Sequence, residues 1–332
     1  MSGLVLAVDG GGVKTDLALL DPQGRLLALV RGGGSSPQYL GLDGAIAVLE
    51  RLLEEAAADA GLGALRRPLA SSAQLLLAGA DLPEERATLS ARIGERGWSE
   101  RLVVDNDTLA LLRAGTDRGW GVAVVCGAGI NCLGLGPDGR EARFPALGDI
   151  TGDWGGGQDV GAAAVTAAAR SEDGRGPKTS LEQLVPAQLG FETPLQLAEA
   201  VHLGSVPRRR FIELAPLVFA EAADDAVAEG IVLRLADEIV SLVRVALDRI
   251  GPIDEAADVV LGGGLLQARN AQLLDAIERE LADFGVPHTL IVVDTPPVVG
   301  AALRALDALG AEPSAHARLR SDERLAEAVA NG

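Results

Sequence analysis

Apolar and polar residues alternate along the chain in two rhythms. Short apolar runs at 3–8, 16–20 and 26–30 read as strands, the last two joined by the turn "DPQG" at 21–24. Helical spacing follows at 42–60 and 83–97. "QLLLAGA" (74–80) lies between these helices, and "RLVVD" (101–105) follows the second. Strands alternating with helices predict an α/β domain with a mixed sheet. A second set of strands begins at "GVAVV" (121–125) and continues through "LGLGPDGREARF" (133–144) with another turn. From 156 to 250 the pattern is mostly helical. Ile231, Leu235, Ile239, Leu242 and Ala246 mark one face of a long helix over 226–250, stopped by Gly251-Pro252. Two strand–helix units at 258–277 and 288–306 follow. Past Gly310 the polar chain predicts a terminal helix or a frayed tail.

The chain also repeats itself. "VLAVDGGGVKT" (5–15) lies over "VAVVCGAGINC" (122–132), and "DPQGR" (21–25) over "GPDGR" (136–140). Each copy reads strand, glycine loop, strand, turn, strand. Duplicated domains facing each other across a cleft explain this better than two unrelated glycine-rich hairpins.

Composition narrows the function. A length of 332 residues suggests two domains, and 48% hydrophobic content excludes disorder. With 3% aromatic residues, the cores must be aliphatic. A formal net charge of −18 speaks against nucleic acid as a partner. It does not exclude a nucleotide held by a local loop. Lys14 and Lys178 are the only lysines, as a GC-rich genome would produce. Two cysteines, Cys126 and Cys132, are too few for a disulfide framework or a zinc cluster, so they read as small packing residues in a reducing cytoplasm. His202, His288 and His316 have no metal spacing and read as surface residues. No signal peptide is legible, and no apolar run approaches the ~18 residues of a membrane span.

Candidate chemistry begins at "DGGGVKTD" (9–16). It lacks the G-x-x-x-x-G-K-[ST] of a P-loop. It also opens a strand and not a helix, unlike a dinucleotide fingerprint. A tight hairpin can still turn backbone amides toward an anion, with glycines allowing close approach. Asp9 at the strand end suits Mg²⁺ held through water, while Lys14 and Thr15 offer a charge and a hydroxyl. The bland alternative is a simple glycine turn.

These segments together resemble the actin-like ATPase superfamily of sugar kinases, actin and heat-shock chaperones. "VDGGGVKTD" resembles its phosphate-1 motif, "VCGAGINCLG" its phosphate-2 motif and "VVLGGGLLQARN" its adenosine motif. Within it the chain is most similar to the N-acetylglucosamine/glucosamine kinase group, related to the BadF/BcrA-type ATPases. "GDWGGGQDVG" (152–161) resembles that group's G-D-E-G-S segment, and "VVDNDTLALLRAG" (103–115) its V-V-N-D-A segment. The resemblance implies two ribonuclease-H-like lobes with mixed sheets flanked by helices and a nucleotide cleft between lobes. The first lobe would be 1–117 with the C-terminal helix from about 299, and the second 118–298.

The resemblance also implies site residues. ATP would meet Gly10, Gly11, Gly12, Lys14, Thr15, Gly127, Ala128, Gly129, Gly262, Gly263, Gly264 and Gln267, with a helix starting at Leu265 and Mg²⁺ at Asp9. The sugar would meet Asn131, Asp153, Gly148, Gly157 and Gln38, with Ser36 an alternative to Gln38. Asp107 would be the general base, and Asp105 could share its strand face; the structural alternative for Asp107 is a helix cap over 108–114. Three departures bear on the sugar: Ala128 replaces the phosphate-2 Thr, Trp154 and Gly156 replace Glu and Ser, and no Asn occurs in "GGGSSPQYLG" (32–41). The function implied is an ATP-dependent kinase acting on N-acetylglucosamine or glucosamine at the 6-hydroxyl, cytoplasmic and homodimeric. The alternatives are an ATPase that activates a 2-hydroxyacyl-CoA dehydratase and a non-catalytic sugar or nucleotide sensor.

Overall fold

A computed structural model describes residues 3–63, 67–253, 255–283, 285 and 287–325. The chain divides into two compact units. One holds the chain up to Ala123 with the segment from Val293 onward; the other is Val124–Val292.

The first unit is built on β1 (Leu4–Gly10), β2 (Lys14–Leu20), β3 (Leu26–Gly33), β4 (Ala70–Leu77) and β5 (Ser99–Asp105), in the order β3-β2-β1-β4-β5. β1 pairs antiparallel with β2, and β2 with β3, through short turns. β4 runs parallel to β1 and β5 to β4, so helices must carry the chain back. Those helices are α1 (Pro37–Asp59) and α2 (Pro83–Gly94), with α3 (Thr108–Gly115) following β5. α1 is two helices merged at a kink, where Gly41 takes φ 68°. Leu6, Val8, Leu17, Leu49, Leu75 and Trp98 belong to the buried core. Apart from Trp98 it is aliphatic, as the composition requires.

The second unit continues β6 (Gly121–Cys126) with β7 (Ile130–Leu135), β8 (Glu141–Arg143), β9 (Ala257–Gly262) and β10 (His288–Val292). Its order, β10-β9-β6-β7-β8, is the first sheet's order read from the other edge. The repeat seen in the sequence is therefore a repeat of topology. Helices α4 (Gly156–Glu172), α5 (Leu181–Leu189), α6 (Pro194–His202), α7 (Ala215–Glu221) and α8 (Ala226–Ile250) fill the long helical stretch. On α8 the buried line runs through Ile231, Leu235, Ile239, Val243 and Ala246; Leu242, expected on that face, is only half-buried. A real helix turns 3.6 residues per cycle, so the stripe shifts to Val243. Gly251, at φ 80°, ends α8.

After β9 come α9 (Gly264–Gln267) and α10 (Ala271–Asp283). This corrects the single helix expected from Leu265. The break falls at Arg269, whose φ is 51°, and Asn270 restarts the helix by accepting from the Leu273 amide at 3.0 Å. In the first unit, α11 (Pro297–Ala308) packs on α3 and β1, and α12 (Pro313–Arg320) is the terminal helix. Residues 326–332 of the expected tail lie outside the described residues. His288 and His316 are not surface residues: only 8% and 20% of their side chains are exposed, beside Glu278 and Asp307.

Candidate active site

The first unit carries its candidate chemistry at the ends of β1 and β5. β1 and β2 pair as far as Gly10 and Thr15, and the Gly11 amide donates to Lys14 O at 2.8 Å, closing the hairpin. The loop is buttressed from beyond β3. The Ser35 amide donates to Gly11 O at 3.0 Å, and the Thr15 hydroxyl donates to Ser35 Oγ at 2.8 Å. This corrects the role expected for Thr15. Its side chain is fully buried and committed to Ser35, so its hydroxyl shapes the loop and does not face outward. Gly12 and Lys14 are exposed.

Asp9, next to last in β1, is half-buried. Loss of solvent, then the nearby charges of Asp107 and Asp16, hold its carboxyl well above the usual range; Lys14 and Arg31 pull the other way. Asp16 is itself neutralised. Arg31 grips it with two hydrogen bonds, Nε to Oδ1 at 2.6 Å and Nη2 to Oδ2 at 3.0 Å. No group of three or more acidic, His or Cys side chains forms a metal cage among the described residues. The donor set at Asp9 is thus one carboxylate in an anion-rich setting. That fits Mg²⁺, which keeps waters and binds through one or two carboxylates plus phosphate.

Asp107 lies at the N-cap position of α3, with φ −63° and ψ −22°. It does not share a strand face with Asp105, because β5 has already ended there. Nor does its side chain cap the helix: Asn106 Oδ1 accepts from the Thr108 amide at 3.0 Å instead. The Asp107 carboxyl is left out of the helix's own bonding. Burial pushes its pKa up to about 6, against weaker pulls from its own amide and that of Thr108.

The second unit repeats the hairpin between β6 and β7. The Gly127 amide donates to Gly129 O at 2.9 Å. Its outward carbonyls are held by the first turn of α4: Gly157 N donates to Gly127 O at 2.8 Å and Gln158 N to Ala128 O at 3.0 Å. Helix amides that would otherwise lack partners thus fix the loop. Gly156, at φ 80°, is required there, since a Cβ would fall 2.5 Å from the Gly129 backbone. Gly157, expected at the sugar, has a scaffold role in the loop. It is buried with its amide used, and a Cβ would meet Ile212 at 2.5 Å.

Asn131 is half-buried on β7, and its Oδ1 accepts from the Cys132 amide at 2.7 Å. Gly148 O collects the amides of Thr151, Gly152 and Asp153, and Thr151 Oγ1 donates to the Asp153 carboxylate. Trp154, which replaces the family's Glu, lies 4.0 Å beneath the Arg234 guanidinium of α8. That stacking gives the departure a structural role. Gly263, at φ 88°, is half-buried and packs closely on one side. Its Cβ position points at Cys126 O, 2.4 Å away, which locks the β9 turn to the end of β6. Gly262 is buried at the end of β9, while Gly264 and Gln267 are exposed. Gln38 is exposed in the first turn of α1, and the buried Ser36 hydroxyl has no hydrogen-bond partner.

Cys126 and Cys132 are buried, and burial raises both thiols, Cys126 to about 12. Sequence reasoning missed Ser35, Asn106 and the Asp16–Arg31 pair. Only the Asn in "DND" carried a signal, because Asn is a common N-cap.

Residues 6–305 match the BadF/BadG/BcrA/BcrD ATPase family. A relative from Clostridium acetobutylicum, named N-acetylmuramic acid/N-acetylglucosamine kinase, is 28% identical over 291 residues, covering 87% of this chain and 93% of its own. One from Dictyostelium discoideum, named N-acetyl-D-glucosamine kinase, is 26% identical over 316 residues, covering 92% and 98%. A solved structure from Chromobacterium violaceum, described as a candidate N-acetylglucosamine kinase, superposes with a TM-score of 0.74 at 24% identity, covering 91% of this chain and 98% of that one. The α/β fold, with two mixed five-stranded sheets flanked by helices, is that of the actin-like sugar kinases.

Proposed function

The chain belongs to the BadF/BadG/BcrA/BcrD ATPase family, and on that footing we propose that it is an ATP-dependent sugar kinase acting on an amino sugar, N-acetylglucosamine or glucosamine, at the 6-hydroxyl. The observation that carries the reading is Asp107. It is a half-buried carboxyl with a pKa of about 6, unused in its helix cap and close enough to Asp9 to raise that group's pKa. Such a group is ionised at neutral pH yet basic enough to take a proton.

In this reading the Asp107 carboxylate accepts the proton of the sugar hydroxyl as its oxygen attacks the γ-phosphorus of ATP. The bond from that phosphorus to the bridging oxygen breaks, and ADP leaves with the electron pair. The Gly12 loop amide holds a phosphate oxygen, and the exposed Lys14 supplies positive charge. Mg²⁺, held by Asp9 through water, would neutralise phosphate charge when bound. Asn131 and Asp153 orient sugar hydroxyls, Asp153 with its carboxylate already aimed by Thr151. The protein's contribution is positioning and electrostatics. The dehydratase-activator reading is disfavoured, because both cysteines are buried, high-pKa thiols unsuited to hold a surface cluster.

The test is ADP release, coupled to a spectroscopic readout, against amino sugars, N-acetylated sugars and plain hexoses. An amino sugar should stimulate release, and Asp107→Asn should lose ~10²–10⁴ in turnover while ATP still binds. ATP binding with no sugar-stimulated release would favour the sensor.

A further inference from the structure

Asp107 sits between residues fastened by one neighbouring side chain. Asn106 is 3% exposed. Its Oδ1 accepts from the Thr108 amide at 3.0 Å and from the Thr108 hydroxyl at 2.5 Å. Its Nδ2 donates to Asp81 Oδ1 at 2.7 Å, across 25 residues of chain. The first pair of bonds would suffice to cap α3, so the bond to Asp81 is additional to the cap.

Asp81 is itself firmly mounted at the start of α2. The amides of Asp81 and Leu82 donate to Glu85 Oε2 at 3.1 and 2.8 Å, and Arg86 Nη1 donates to Asp81 O at 2.7 Å. The same Arg86 lies 3.8 Å from Asp105 Oδ1, which accepts from the Asn106 amide at 2.8 Å. Residues 105, 106 and 108 are thus all tied, directly or through one partner, to the start of α2. The loop before Asp81 reaches the other way. Its Gly79 lies against the segment at 36–38, with a Cβ position 3.2 Å from Ser36 Oγ and 3.5 Å from Gln38 Cγ.

We propose that Asp81 is a positioning residue for phosphoryl transfer: through Asn106 it fixes the backbone on both sides of Asp107, and so sets where that carboxylate meets the sugar hydroxyl. The inference rests on Asp107 being the base. A charged acceptor makes the Asn106 bond stronger than a neutral one would. It also settles which end of the Asn106 amide faces α3: the carbonyl must turn to Thr108 and the amino group to the carboxylate. A misplacement of about 1 Å at such a group costs up to ~10²-fold in rate.

The experiment is steady-state kinetics of the full chain carrying Asp81→Ala, Asp81→Asn and Asn106→Ser, each alone and with Asp107→Asn. Asp81→Ala should lower kcat by ~10- to 100-fold with KM for ATP changed less than ~3-fold. Asp81→Asn keeps an oxygen that accepts from Asn106 and should recover most of that loss. Asn106→Ser keeps a short cap for Thr108 but does not reach Asp81, so it should reproduce the loss even if Asp81→Ala fails to fold. In the Asp107→Asn background, neither change should cost more. Wild-type kcat in Asp81→Ala or Asn106→Ser, or an undiminished loss in the Asp107→Asn background, would overturn the inference. If the unaltered protein shows no sugar-dependent turnover, the assignment of Asp107 falls and takes this inference with it. Turnover that survives severing the Asp81 link removes this inference alone.

Discussion

Replacing Asp107 by Asn should stabilise the protein while disabling it. Burial holds the carboxyl's pKa at about 6 in the folded chain, against an ordinary value of 3.8. Because the folded-state pKa is the higher one, ionisation is disfavoured by folding, and the cost is complete above pH 6. The difference of about 2 units corresponds to about 3 kcal/mol at most, and to about 1.5 kcal/mol if the shift is half as large. Asn has the same shape and no charge to desolvate. Urea unfolding at pH 7.5 should therefore find Asp107→Asn more stable by about 1.5–3 kcal/mol. The gain should shrink as pH falls below 6, because the wild-type carboxyl then takes up its proton in the folded state. It should vanish near 3.8. Equal or lower stability of the variant at pH 7.5, or a gain that does not change with pH, would refute the argument. A residue retained at such a cost is retained for something other than folding.

The same pKa predicts an acid limb in turnover: kcat at pH 5 should be about tenfold below that at pH 7, and a flat profile in a folded enzyme would remove Asp107 as base. Asp225 accepts from Thr179 Oγ1, the amide and hydroxyl of Ser180, and the amides of Val227 and Ala228, which holds its pKa near 2. Its folded pKa is depressed, so its contribution of about 2 kcal/mol exists above pH 3.8 and fades as pH falls through 2. Asp225→Asn should lose that much in chemical denaturation at pH 7 and little near pH 2. Gly263→Ala places a Cβ 2.4 Å from Cys126 O at φ 88°, so thermal unfolding should show destabilisation by at least ~1–3 kcal/mol.

The strands, the long helix at 226–250 and the duplicated hairpins were legible because period and turn chemistry are local. Thr15 was misread because a motif gives residue types without directions. Whether a hydroxyl turns toward ligand or toward Ser35 depends on a segment 20 residues away. The break at Arg269 was hidden because the apolar spacing of "LLQARNAQLL" continues through it. Asp81 was invisible for a similar reason: its partner lies 25 residues on, and nothing in "GADLPEE" indicates that partner. Asp107 was singled out by its surroundings in sequence, yet its independence from the helix cap came only from seeing Asn106 take that task.

The duplicated hairpins have a consequence for how such a protein can change. Laid 117 residues apart, Asp9 corresponds to Cys126, Lys14 to Asn131 and Thr15 to Cys132. Thr15 and Cys132 both point into their own unit, so that position kept its architecture through the duplication. Asp9 and Lys14 have no charged counterparts: the matching positions hold a buried thiol and a neutral amide. One copy therefore bears the charges, and the other is electrically silent at the same positions. Once a scaffold exists twice, a single charged copy suffices, and the second copy is free to acquire selectivity.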